Sequence, residues 1–175
     1  MALTLKVFLD TCVLYPPILR SFLLSAAQAG LYAPLWSEGV ESEWLHLARR
    51  KGEDSVPATL DRLRLTWPGA LTPPGDAALV DLPDMTDRHI LAAAQAGGAD
   101  LLLTLNLRDF PRRALAPLGL SAVSPDDFAM QLWLGDADAI ERIVAGVWPG
   151  LEGRALRNAM KRATLPRLGR ALETE

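Results

Sequence analysis

The stretch LPDMTDRHILAAAQAGGADLLLTLNLRDFP, residues 82–111, decides the fold class. Pro83, Asp84 and Thr86 open a helix, small residues carry it through Ala96, and Gly97–Gly98 stop it. Asp100–Leu105 then reads as a strongly apolar strand. The same alternation extends in both directions. Leu3–Leu9 is a short run rich in branched residues that ends in Asp10, the pattern of a buried strand. Pro16–Pro17 open a helix that stops at Gly30, and Leu31–Trp36 is a second strand. Ser37 caps a helix that reaches Lys51 and stops at Gly52. Ser55–Leu65 is another helix, Trp67–Asp76 a Pro/Gly-rich loop, and Ala77–Leu82 a short strand. Beyond the opening stretch, Leu118–Val123 is a strand and Pro125 starts a helix to about Leu134. The remainder from Asp136 is helical, with breaks at Pro149–Gly150 and Pro166.

Strands alternating with helices predict an α/β domain with a mainly parallel sheet. Ligands of such sheets bind outside the carboxyl ends of the strands. Asp10 and Asp109 stand at or just after two of those ends.

Composition narrows the class further. The chain has 175 residues, half of them hydrophobic, enough for a substantial core. No apolar run is long enough to span a membrane. Residues 1–10 do not read as a signal peptide, because a carboxylate ends the apolar run. Cys12 is the single cysteine, which excludes an internal disulfide framework and a multi-cysteine zinc site. A soluble, cytoplasmic protein is expected. The formal net charge is −3, but its distribution is uneven: residues 151–175 carry +3 and residues 1–150 carry −6. An acidic body holds a polyanion poorly unless cations cover some of its carboxylates.

The acids are the candidate chemistry. Singly, each has a structural reading. Asp10 suits a strand-ending turn, Glu43 a solvated helix face, Asp84 and Asp87 helix caps, and Asp109 the loop before Pro111. Together they suggest more, because clustered carboxylates repel one another unless a cation or proton sits between them. Mg²⁺ and Mn²⁺ take oxygen ligands, often one or two carboxylates and several waters. Such an ion lowers the pKa of a bound water and offsets charge building on phosphate. No Ser–His–Asp order, glycine-rich phosphate loop or His-rich metal pattern competes.

These segments resemble the motifs of the PIN-domain family. VFLDTCVLYP (7–16) looks like its first motif, an apolar strand ending in Asp followed by Thr. SEGVESEW (37–44) resembles the second, which selects Glu43; helical periodicity alone does not choose between Glu41 and Glu43. Residues 82–111 resemble the third and fourth motifs, with Asp87, Thr104, Asn106 and Asp109–Phe110. SPDDF (124–128) resembles a segment of one branch. The resemblance covers roughly residues 5–130. It implies a three-layer α/β/α nuclease domain over residues 1–135, with residues 136–175 a helical C-terminal extension packed on it. It also implies Mg²⁺ or Mn²⁺ dependence, RNA as substrate, and a bacterial toxin–antitoxin setting of the VapC type. An antitoxin that blocks the site and a homodimer belong to the same implication. Asp10, Glu43, Asp87 and Asp109 would hold metal and carry the catalysis. Thr11 and Asn106 would orient acids or waters. Asp84 would support the site or only cap its helix, with the cap preferred.

Other residues are read more plainly. Arg88 is a solvated helix residue, His89 a packing or surface residue, and Cys12 a buried apolar filler. Trp36 and Trp44 are expected inside. Arg154, Arg157 and Lys161 line one side of the tail opposite Leu156, Ala159, Met160 and Ala163. That pattern suits a terminal helix packed on its own domain, ahead of one that binds RNA phosphate or an acidic partner. Two rivals stand beside the nuclease reading. One is an Asp10-nucleophile phosphohydrolase, disfavoured because Cys12 occupies the place where a second Asp is wanted. The other is a non-catalytic module that binds nucleic acid or a partner.

Overall fold

A computed structural model describes residues 3–173; Met1, Ala2, Thr174 and Glu175 lie outside the described residues. The central sheet has five parallel strands, β1 (Lys6–Leu9), β2 (Ala33–Ser37), β3 (Leu71–Thr72), β4 (Leu101–Leu103) and β5 (Ser121–Val123). Their order is β3-β2-β1-β4-β5. Helices surround the sheet in a three-layer α/β/α arrangement. They are α1 (Thr11–Leu14), α2 (Pro17–Gln28), α3 (Glu38–Lys51), α4 (Val56–Thr66), α5 (Arg88–Ala96), α6 (Arg112–Leu115), α7 (Pro125–Gly135), α8 (Ala137–Val147), α9 (Gly153–Arg162) and α10 (Pro166–Ala171). No helix among the described residues is long and apolar enough to cross a membrane.

The central strand is β1 because Val7, Phe8 and Leu9 are apolar on both faces and fully buried. Phe8 pairs with Leu35 on one side and Leu102 on the other. Leu9 stands level with Leu103, and Leu103 with Val123. The ladder continues one residue further: the Asp10 amide donates to the Leu103 carbonyl, and the Thr104 amide to the Val123 carbonyl, both at 3.1 Å. Register therefore sets Asp10 beside Thr104, at the carboxyl edge of the sheet. Trp36 and Trp44 are both core residues.

The edge of the sheet departs from the expectation. The fifth strand is not Ala77–Leu82 but Leu71–Thr72, inside the stretch that reads as a loop. Leu71 and Thr72, just ahead of Pro73–Pro74, are too few to show a period, and pairing with Trp36–Ser37 makes them a strand. Ala77–Leu79 is instead a single 3₁₀ turn capped by the Asp76 carboxylate. The helix expected from Pro83 begins later: Met85–Asp87 is a 3₁₀ turn and α5 starts at Arg88. The four-residue helix α1 has no counterpart in the sequence reading.

The basic tail is anchored in the body. Met160, Leu165 and Leu168 are fully buried in the same core as β1. Asp126, within SPDDF, accepts from the amides of Arg167 (2.9 Å) and Leu168 (3.2 Å), fixing the start of α10. Two tail cations are internally paired, Arg157 with Glu173 and Arg167 with Asp127.

Two substitutions check this packing by thermal or denaturant melts. Leu168→Ala is expected to cost about 2–5 kcal/mol, as for a core leucine; a change under about 0.5 kcal/mol would describe a solvated extension instead. Thr72→Val is expected to be neutral or stabilising. The Thr72 hydroxyl is the buried side-chain group without a hydrogen-bond partner among the described residues, and removing it leaves nothing unpaired.

Candidate functional site

The site starts from Asp10. Its backbone ends β1 and its carboxylate caps α1, so the side chain points along the carboxyl edge of the sheet. Oδ1 accepts from the Thr11 amide at 2.7 Å. Oδ2 accepts from the Thr104 hydroxyl at 2.7 Å and from the Cys12 thiol at 3.4 Å. Only 7 % of Asp10 is exposed. Burial pushes its carboxyl above the ordinary range; the three hydrogen bonds oppose this and the Glu43 charge adds to it. Thr104 is fully buried and in turn accepts from the Asn106 amide at 3.0 Å. Asn106 thus joins the network through its backbone.

Glu43 reaches the same place from α3. Its Oε2 accepts from the Thr11 hydroxyl at 2.5 Å, and its Oε1 bonds His89 Nε2 at 2.6 Å. Thr11 therefore touches both acids, one through its amide and the other through its hydroxyl. Burial is the largest single influence on Glu43 and raises its pKa. The bonds from His89 and Thr11, with the imidazole charge, outweigh it and hold Glu43 below the ordinary range. The bond to Glu43 correspondingly raises His89, against desolvation, with smaller contributions from the charges of Glu43, Asp10 and Asp87.

Glu41, the other acid that periodicity offers, faces elsewhere. It is buried, accepts from Trp36 Nε1 at 3.0 Å and is paired with Arg64 through both carboxylate oxygens. Its role is to tie α3 to α4 over β2.

Asp87 ends the 3₁₀ turn ahead of α5 and is half-buried. Burial is the first cause of its raised pKa, followed by the charges of Asp84, Asp109, Asp10 and Glu43. Four other carboxylates thus act on one. Asp109 is exposed in the turn Leu107–Asp109. Asp84 is exposed and caps the Met85–Asp87 turn, accepting from the Thr86 amide (2.8 Å) and hydroxyl (2.7 Å). Those bonds hold it below the ordinary range. Arg88 donates through Nε and Nη2 to the Leu82 carbonyl (3.0 and 2.8 Å), so its guanidinium locks the turn before α5.

Among the described residues, no three His, Cys, Asp or Glu side chains stand close enough to ligate one ion together. The oxygens of Asp10 and Glu43 are engaged by Thr104, Thr11, Cys12 and His89. The donor set nevertheless consists of carboxylate oxygens, the type that suits hard divalent ions completed by water.

Three participants are not visible in the sequence. Thr104 stands in a motif but carries no assigned role there. His89 reads as a packing residue, because its partner Glu43 lies 46 residues away. Gly39 gives no signal, yet a Cβ there would lie 2.6 Å from His89 Nδ1, so only glycine leaves room for the imidazole. Cys12 is pushed up to about 12 by burial first and the Asp10 charge second, and is a protonated thiol at neutral pH.

Comparison with known proteins gives one partial likeness. A Mycobacterium tuberculosis protein named "Putative ribonuclease VapC50" is 42 % identical over 62 residues, 35 % of this chain and 36 % of that protein. The match thus spans about a third of the relative's length. No protein-family model matches the chain, and no solved structure matches it.

Gly39→Ala is expected to fold while displacing His89 from Glu43. The ion pair stabilises fully between the ordinary Glu and His values, about 4.3 and about 6.5. Its contribution is lost as pH rises through the raised His89 value, and as pH falls through the lowered Glu43 value. The substitution should flatten this dependence in melts and return the His89 titration, followed by NMR, towards its ordinary value. An unchanged His89 titration would contradict the arrangement.

Proposed function

We propose that this protein is a metal-dependent endoribonuclease of the PIN/VapC kind that hydrolyses RNA phosphodiester bonds. The observation that supports the reading is the network at the carboxyl edge of the parallel sheet, where Asp10 and Glu43 share Thr11, with Asp87 near enough that, after burial, the charges of Asp84, Asp109, Asp10 and Glu43 raise its carboxyl. Such crowding is relieved by a cation, and this edge is where parallel sheets bind ligands. The partial likeness to a protein named as a ribonuclease supports the same reading.

In this proposal Asp10, Glu43, Asp87 and Asp109 would hold Mg²⁺ or Mn²⁺, in part through water. The bound ion supplies charge neutralisation at phosphate and an acidified water. The chain's own residues supply orientation. Thr104 and the Thr11 amide fix the Asp10 carboxylate, and the Thr11 hydroxyl fixes Glu43. His89 holds the other Glu43 oxygen and lends it positive charge. Cys12 stays protonated and donates to Asp10. The proposal extends to a toxin of a toxin–antitoxin pair, with a small antitoxin covering the acids and a homodimer as the working assembly.

One observation favours a second reading, a non-catalytic nucleic-acid- or partner-binding module: Glu43 already has a cationic partner in His89. Activity separates the two. The wild-type protein should cleave single-stranded RNA in Mg²⁺ or Mn²⁺, lose that activity in EDTA, and regain it when the metal is restored. Asp10→Asn and Asp87→Asn should each lower the rate by at least about 100-fold, beyond the loss typical of a group that only orients a ligand. Melting temperatures should stay near wild type, because the carboxamide introduced by Asp10→Asn keeps an oxygen that accepts from Thr104 or Thr11. Undiminished cleavage by Asp10→Asn would remove the proposal.

A further inference from the structure

Beside the acids lies a pocket that the nuclease reading leaves unused. Its volume is about 450 Å³, within the range of small-molecule sites. Its walls include Ser37, Glu38, Thr72, Pro73, Pro74 and His89. It opens at the carboxyl ends of β2 and β3, which finish in Ser37 and Thr72. His89 is common to both places, since its Nε2 bonds Glu43 while its ring also lines the pocket over Gly39. The imidazole is therefore a partition between the acid cluster and the pocket.

The pocket is preformed. Gly75 has φ of +67°, and a Cβ there would lie 2.2 Å from the Ala92 carbonyl oxygen. Only glycine lets the Pro73–Pro74–Gly75 strap lie directly on α5, and the two prolines keep that wall rigid. The polar groups are few and placed. Ser37 Oγ accepts from the Val40 amide at 3.3 Å, which leaves its proton free to donate. The Glu38 side chain is largely exposed and is paired only at 3.9 Å with Arg64 through Oε1, so its carboxylate remains accessible to N–H donors. Thr72 contributes a wall whose hydroxyl has no partner among the described residues.

The lining alternates apolar walls, Leu71, Pro73, Pro74 and Ala93, with a hydroxyl donor on Ser37 and a carboxylate acceptor on Glu38, a combination that suits a neutral planar ring with N–H groups at its edge. We infer that the pocket seats the nucleobase of a nucleotide flanking the scissile phosphate, with Glu38 accepting hydrogen bonds from the N–H groups of the base. This rests on the nuclease reading for the word scissile, but the binding itself does not require cleavage.

The test is a titration of the intact protein with guanosine, adenosine, cytidine and uridine, without phosphate or metal, followed by amide chemical shifts. At least one nucleoside should shift the Gly39 and Ala93 amides, and Glu38→Gln should weaken that binding about tenfold, the equivalent of one good base contact. If no nucleoside moves those amides up to its solubility limit, or if Glu38→Gln binds as tightly as wild type, the inference is overturned. A protein that binds nucleosides here but does not cut RNA would defeat the nuclease reading alone. One that cuts RNA while the pocket stays silent would defeat this inference alone.

Discussion

Carboxylates that share one end of a sheet repel each other, and the local structure around this edge can be understood as management of that repulsion. Asp10 is almost sealed from water, the costliest environment for a charge, yet three donors converge on it. Two come from the residues that follow it in α1, and the third from Thr104 on the neighbouring strand. The parallel register of β1 and β4 makes that third bond possible, since it brings Thr104 level with Asp10. Glu43 is managed differently, by a hydroxyl and an imidazole. Asp87 is raised by burial first and then by the charges of four other carboxylates. It is the position where an added cation has most to stabilise.

The same residue types do unrelated work elsewhere in the fold. Glu41 and Glu43 belong to one helix, but Glu41 is occupied by Trp36 and Arg64 as a tie between elements. Asp126 and Asp127 hold the start of α10 through two backbone amides and Arg167. Asp84 caps a turn, and Arg88 is engaged by a carbonyl. Chemical type identifies none of these roles; partners do. What distinguishes the candidate site is that Asp10 and Glu43, from different elements, share Thr11 as a donor, and that Asp87 lies within reach of their charge.

Legibility in the sequence follows the range of the interactions. The strands β1, β2, β4 and β5 and the helices α2, α3 and α5 are readable because apolar runs, caps and glycine stops act within a few residues. The two-residue strand β3 is not, since it exists only through its pairing with β2. Helix α1 escapes for a related reason: four residues after a strand carry no period, and the Asp10 cap that starts it doubles as a site residue. Of the site itself, Asp10, Glu43, Asp87 and Asp109 follow from motif resemblance, and each of the other three bears electrostatically on Asp87. The Glu43–His89 pair and the space left by Gly39 depend on residues about fifty apart, which no local pattern encodes. The tail reads as a helix packed by Ala159 and Met160, and both are core residues, whereas the pairing of Arg157 with Glu173 depends on a residue sixteen positions on.

The proposed chemistry requires that these separated acids present one place to a divalent ion. Paramagnetic broadening of amide signals during a Mn²⁺ titration tests this most directly, because it maps the ion without relying on catalysis. Broadening should appear first at residues 10–12, 43, 87 and 104–109 together, and Mg²⁺ should compete it away. Broadening centred on another surface, or on Asp109 without Asp10 and Asp87, would contradict it.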